Sequence, residues 1–438
     1  MSVTEIQTRI DSLSADIIRQ KKVLQNLERT KSAAQRQLNG VLDPVGRLPL
    51  EISGEIFIQC LPSRSTPGEQ HIPMLFLNIC NTWTDIALAT PELWISVHVD
   101  QPVVNLAGVL DAWLKRAGSH ALSISLPPIL TGHGIDAVIR RHAHQLQDLT
   151  LFHNEANIGL VAAAGPFLCL ETLMVLGLPG SDVDPEENTR VTMDLLQVCP
   201  NLVECTFDGV FCGFDFDTAP LELSHMRHLK FGISPGHSGE EPLQYIVSPH
   251  LETIYLPGGN LASKNIIQFF RRSSPPLRHL TWGFNDLAND WTQAKLLECL
   301  SLLPQLTHLE MLVPETGTTS HLVALLASSP YLVPELSSIT LQQVYLSTPW
   351  YQQLVAAFSL RREKIKSVRI IWPYDGVRRP AKDVWAALRQ LVEGGMKIYI
   401  GTDKRNYNYM TACSFLLRHS NPILEVYLLL ALFLMRAH

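Results

Sequence analysis

The sequence predicts an α/β chain: a long N-terminal helix, a small all-α region, then a run of alternating strands and helices. Three observations carry that prediction. A six-residue pattern L-x-x-L-x-L, with any apolar residue at L, recurs nine times between residues 146 and 370. Between most of these rows lie helix-like stretches that close on Pro, Gly or Ser-Pro, residues that stop a helix before the next strand begins. Residues 6–38 carry a seam of alternating steps of three and four, the spacing of a helix that supercoils with another.

Composition narrows the class before any element is placed. At 438 residues the chain has room for two or three domains or one solenoid. A hydrophobic fraction of 46% against 17% charged residues excludes a largely disordered protein. The net charge of −6, with no basic stripe to neutralise phosphates, argues against nucleic acid as the main partner. The eight cysteines form no C-x-x-C pair, and no secretory signal is read at the N-terminus. They therefore read as buried thiols of a reducing compartment, cytoplasmic or nuclear. Cys199, Cys205 and Cys212 come nearest to a metal cluster, but each falls at an apolar position of the local pattern, so zinc is not expected.

The first element is the helix of residues 1–40. Ile6, Ile10, Leu13, Ile17, Gln20, Leu24, Leu27, Lys31, Ala34 and Leu38 form the seam, and no Pro or Gly interrupts it before Gly40, which with Pro44 ends the helix. A seam this narrow needs a cover. It fits a coiled-coil homodimer through residues 4–38, a helical partner, or a helix folded back along the region that follows.

That region, 45–97, reads as two short helices. Leu48-Pro49 opens the first, and Ile52, Ile56, Phe57 and Leu61 follow on one face. Pro49 is tolerated because its missing N–H falls in the unpaired first turn. After the loop Ser63–Gln70, Leu75, Ile79, Trp83, Ile86 and Ala87 continue at helical spacing as far as Thr90-Pro91. There is too little apolar material here for an ordinary independent core, so the piece leans on neighbours or offers a face to a partner.

The combination LPxEIxxxIFxxCLP, NICxxWxxIAL and TPELW resembles the F-box motif, and in particular the fungal F-box-like family. The resemblance covers roughly 50 residues. It implies a small helical bundle docking on the Skp-type linker subunit of a cullin–RING ubiquitin ligase. The matching docking positions are Leu48, Pro49, Ile52, Ile56, Phe57, Ile79, Cys80 and Trp83. Where the family often carries a basic residue before the Trp region, this chain has Asn81, and its segment from Ser63 to Ile72 is longer than in the tightest F-boxes.

Residues 98–401 hold the repeats. ALSISL (121–126) introduces them as a strand, and the rows start at 146, 170, 202, 226, 251, 277, 306, 336 and 365, from 24 to 32 residues apart. Such periods with this core pattern are the signature of leucine-rich repeats, here divergent and without the usual Asn after the strand. The expected form is a strand–helix solenoid, a horseshoe with parallel strands inside and helices outside. In each row the third and fifth residues flank buried ones and should face outward from the sheet. Around the middle rows that places His228, Lys230, Tyr255, His279 and His308 close together. The mix fits an acidic or phosphorylated segment of a target protein, and equally fits ordinary polar cover. Whole rows separate the histidines, which disfavours metal ligation.

MKIYIG (396–401) reads as a last strand. In 402–438, the run from Ile423 to Met435 is apolar but short of the ~20 residues a bilayer requires, so it reads first as a cap on the solenoid and only second as a membrane contact. The sequence has no G-x-S-x-G, phosphate-binding glycine loop, H-E-x-x-H or paired catalytic carboxylates. The expectation is a non-catalytic ligase adaptor without cofactor; the rival is a scaffold that joins proteins through coiled coil and solenoid without any ligase.

Overall fold

The computed structural model describes residues 3–402, apart from position 69 and the segments 100–102, 104, 129, 131–133, 153–154, 178–184, 209–218, 233–240, 257–262, 284–290, 313–315, 330, 343–347 and 373–380. The predicted tail element therefore lies outside the described residues. The chain divides into two compact units: Met1–Val99 with Gly108–Leu122, and the remainder. The first unit thus takes in a stretch beyond residue 97 that the sequence assigned to the repeats.

The first unit is helical. Helix α1 (Val3–Leu42) runs two residues past Gly40. The Asp43 carboxylate then accepts from the amides of Val45 and Gly46 at 2.9 and 3.0 Å, which turns the chain. A single 3-10 turn (Val45–Arg47) leads to Pro49 at the N-cap of α2 (Leu50–Gln59). The second apolar run is not one helix. It is a 3-10 turn (Met74–Asn78), an extended residue at Cys80, and α3 (Asn81–Leu88). Thr84 closes that corner by donating to the carbonyls of Leu77 and Cys80, each at 3.1 Å. The TPELW stretch forms a further 3-10 turn (Pro91–Trp94), followed by β1 (Ser96–His98). Helix α4 (Leu106–Arg116) supplies Trp113, whose ring meets Trp94 edge-on at 5.1 Å, and Arg116, whose guanidinium lies 4.4 Å from the Trp94 ring centre.

The second unit alternates strand and helix. It begins with β2 (Leu122–Ser125), α5 (Ile135–His142), β3 (Leu146–Phe152), α6 (Glu155–Ala162), β4 (Thr172–Leu176) and α7 (Pro185–Gln197). Next come β5 (Glu204–Asp208), β6 (Leu221–Glu222), β7 (His228–Phe231), β8 (Ile246–Val247) and β9 (Thr253–Leu256). Then follow α8 (Ser263–Ser273), β10 (His279–Gly283), α9 (Gln293–Ser301), β11 (His308–Leu312) and α10 (Thr316–Ser328). The last elements are β12 (Ser338–Gln342), α11 (Thr348–Leu360), β13 (Ser367–Trp372), α12 (Lys382–Glu393) and β14 (Lys397–Thr402).

The described residues form twelve α-helices and a twelve-stranded sheet. Within the second unit the strands follow one another in chain order, apart from β6 and β8, which pair separately. From β3 to β14 the strands of the large sheet pair in parallel. The register aligns the rows position for position: Asp148, Thr172, Glu204, His228, Thr253, His279, His308, Ser338 and Ser367 are successive partners. The cause is burial, since the first, fourth and sixth residues of all nine rows are buried. Each large side chain removed from water contributes roughly 1.5–3 kcal/mol, and a one-residue slip would turn the inward set outward.

Two arginines, Arg361 buried and Arg272 half-buried, fasten chain segments to their neighbours. Arg361 donates to the carbonyls of Leu326 at 2.9 Å and Leu332 at 2.8 Å, and also to that of Ser329. Arg272 does the same for Leu243 at 2.6 Å and Ile246 at 2.9 Å. These carbonyls lie at or beyond helix ends, where partners from the same helix run out.

Candidate docking surface

The stretch 48–83 is sorted by one aromatic cluster. Phe57 of α2 stacks on Phe76 at 4.2 Å and meets Trp83 of α3 at 4.8 Å, while Phe76 and Trp83 stand edge-on at 5.6 Å. Gly54 lets α2 approach closely: a Cβ there would come 3.0 Å from Thr90 Oγ1. That hydroxyl itself donates to Ile86 O at 2.8 Å, and Trp94 Nε1 donates to Ala87 O at 2.9 Å. Ser53, Gly54 and Phe57 thereby fix the inner face of α2.

With Phe57 turned in, Ile52 and Ile56 point out, one helical turn apart. Leu48 is 42%, Ile52 51% and Ile56 40% exposed, whereas Phe57 is 1% exposed. Leu50 and Pro49 are exposed beside them. The result is an apolar stripe flanked by Glu51 and Glu55, both exposed, an apolar centre with a polar rim of the kind protein interfaces use.

The eight sequence-predicted docking positions thus divide. Leu48, Pro49, Ile52 and Ile56 form the surface. Ile79 and Trp83 are half-buried at its base, and Phe57 and Cys80 are buried. Of the latter two, Phe57 lies in the aromatic cluster and Cys80 at the corner before α3, so in the single chain neither presents its side chain to solvent. Leu50 was missed. Its signal was the unbroken apolar sequence Leu48-Pro49-Leu50, which helical spacing alone does not flag.

Helix α1 meets this bundle through its last turns. Arg36 donates to Asn78 Oδ1 and Asn39 Nδ2 to Ile79 O, each at 2.9 Å. Every residue from 6 to 35 is exposed, so the helix does not fold back along the bundle.

The candidate target-binding residues all lie on the outward positions of β7, β9, β10 and β11. His228, Thr253, His279 and His308 share one level of the register; Lys230, Tyr255, Thr281 and Glu310 share the next but one. His279 and His308 are exposed and stacked, with ring centres 4.3 Å apart and planes 18° from parallel. Burial, then His308, then Arg278 and His228, lower the His279 pKa, against a smaller opposing pull from Glu252. Lys230 is ion-paired with Glu204, so its charge is partly spent within the sheet. Thr206, an outward position by the pattern, is buried: Lys230, its register partner, folds across toward Glu204. Among the described residues no group of three His, Cys, Asp or Glu side chains could hold a metal ion. Burial raises the thiol pKa of Cys199 to about 12 and that of Cys205 well above its ordinary value, the setting of inert core cysteines. No helix among the described residues is long and apolar enough to cross a membrane.

Compared with known proteins, the chain matches no protein-family model and no curated protein.

Proposed function

We propose that the chain is a substrate-recognition adaptor of a cullin–RING ubiquitin ligase, acting in the cytoplasm or nucleus. Its 45–97 region is an F-box-like bundle that docks on the Skp-type linker, and through it on the cullin. Its parallel rows are a leucine-rich-repeat horseshoe that selects a target protein. The adaptor does no covalent chemistry. It holds the target beside the ubiquitin-charged enzyme and so removes much of the entropic cost of their meeting.

The observation that supports this reading best is the stripe Leu48, Leu50, Ile52 and Ile56. Leu48, Ile52 and Ile56 match the F-box pattern, and the stripe is left exposed by a bundle that buries Phe57 against Phe76 and Trp83. The full chain should co-purify with a linker–cullin pair. Replacing Ile52→Asp together with Ile56→Asp should abolish that capture while leaving the circular dichroism spectrum unchanged. If the wild type fails to bind the linker, or the double variant binds it equally well, the scaffold reading replaces the ligase one.

A further inference from the structure

Helix α1 presents a second apolar surface, and nothing in the bundle uses it. From residue 6 to residue 35 it is exposed on every side, a length of about 45 Å at the α-helical rise. An isolated helix draws little stability from propensity alone, and this one carries Ile10, Leu13, Ile17, Leu24 and Leu27 bare along one stripe.

We infer that α1 pairs with α1 of a second copy of this chain, parallel and in register, as a two-stranded coiled coil. Residue types at the seam select that arrangement. With the alternating steps taken as heptads, Ile10, Ile17 and Leu24 fall at a, and Leu13, Gln20 and Leu27 at d; the β-branched a residues with Leu at two of the three d positions favour two parallel strands. Lys31 also falls at a; one such residue fixes register and oligomer state at some cost in stability. Glu28 at e, one turn before it, is the carboxylate it can reach on the other copy.

Charge on the flanks decides the orientation. In a parallel pair Asp16 at g faces Lys21 at e of the second copy, and the same contact repeats by symmetry. The other g-to-e pairs, such as Arg9 with Ser14 and Val23 with Glu28, set no like charges together. A fully overlapped antiparallel pair would instead oppose Lys21 to its own copy and bury Lys31 against Leu13. Asp16 makes an exposed contact with Arg19 at 3.0 Å, which is worth little and yields readily to the new pairing.

The test is the mass of the full chain in solution by sedimentation at micromolar concentration, together with orientation by cross-linking. The wild type should run at twice the chain mass. Ile17→Asp with Leu24→Asp should raise the dissociation constant at least about 100-fold, because four carboxylates would enter the seam. Ile18→Asp should leave the dimer intact: Ile18 is 69% exposed, more than any of the apolar seam residues named above, but points away from the seam. Leu13→Cys should give, under mild oxidation, a disulfide-linked dimer absent from the wild type, since antiparallel pairing would separate the two positions by about 27 Å. A monomeric wild type, a seam variant that stays dimeric, or an Ile18→Asp chain that dissociates equally would overturn the inference. So would a Leu13→Cys dimer that does not cross-link. Linker capture depends on Leu48–Ile56 and is read separately, so either idea can fail alone.

Discussion

At the scale of single residues, neighbours in sequence have opposite duties. Ile56 and Phe57 are adjacent, yet one is open to solvent and the other lies beneath the Phe76 and Trp83 rings. Truncating Phe57→Ala should cost about 3–5 kcal/mol, the range for a buried ring whose cavity does not collapse. Ile52→Asp should change stability by no more than about 0.5 kcal/mol, as for most exposed positions, while removing linker capture. Thermal denaturation of the two variants checks this; equal destabilisation would mean that the stripe is core. A second residue sets a pH dependence. Burial pushes the Asp208 carboxyl up to about 6, and Gly232 crowds it so closely that a Cβ there would fall 1.8 Å from Asp208 Oδ1. The folded state therefore holds this proton more tightly than the unfolded one. Its contribution is fully present below the ordinary aspartate range and is lost as pH rises through about 6. Asp208→Asn should remove that loss, worth on the order of 3 kcal/mol, so that the melting temperatures of variant and wild type diverge between pH 4 and 7.

At the scale of elements, legibility followed periodicity. The nine rows were readable because each apolar position repeats against the same position of its neighbour, so one pattern fixes strand, register and core together. Helices α4 and α6 were not read. Gly108 and Gly159 interrupt them, and a mid-helix glycine weakens the local signal although tertiary burial of Leu110, Trp113, Ile158 and Val161 overrides it. The break at Cys80 was equally invisible: Ile79 and Trp83 keep helical spacing across it, and the hydroxyl of Thr84 that shapes the corner carries no periodic mark. The exposed face of α2 was legible only as half a pattern, since spacing groups Ile52, Ile56 and Phe57 together and packing alone separates them. Arg361 is another element-scale device that no pattern announces. Its fork spans three carbonyls, one in the last turn of α10 and two beyond it, a geometry one ammonium cannot reproduce. Arg361→Lys should cost about 1–3 kcal/mol by leaving buried carbonyls unpaired, read as a lower denaturant midpoint with unchanged slope.

At the scale of the whole molecule, the two exposed apolar surfaces of the first unit have a joint consequence. The exposed part of α1 ends where Arg36 and Asn39 grip the bundle that carries Leu48, Ile52 and Ile56. A parallel pair of α1 helices therefore brings two such bundles to the same end of the coiled coil, where an antiparallel pair would hold them apart by the length of the helix. On the proposed function, two linker sites on one such particle would turn a second binding event into an intramolecular one, and the gain in avidity is typically 10²–10⁴-fold without any new contact. On a surface densely coated with linker, the wild type should dissociate at least about 100 times more slowly than the chain carrying Ile17→Asp and Leu24→Asp. In solution, with linker as the dilute titrant, the two chains should show the same affinity per site, because neither substitution touches the stripe on α2. Dissociation equally fast from the dense surface would mean that the paired bundles do not engage together. A loss of affinity in both formats would mean instead that α1 shapes the docking surface directly.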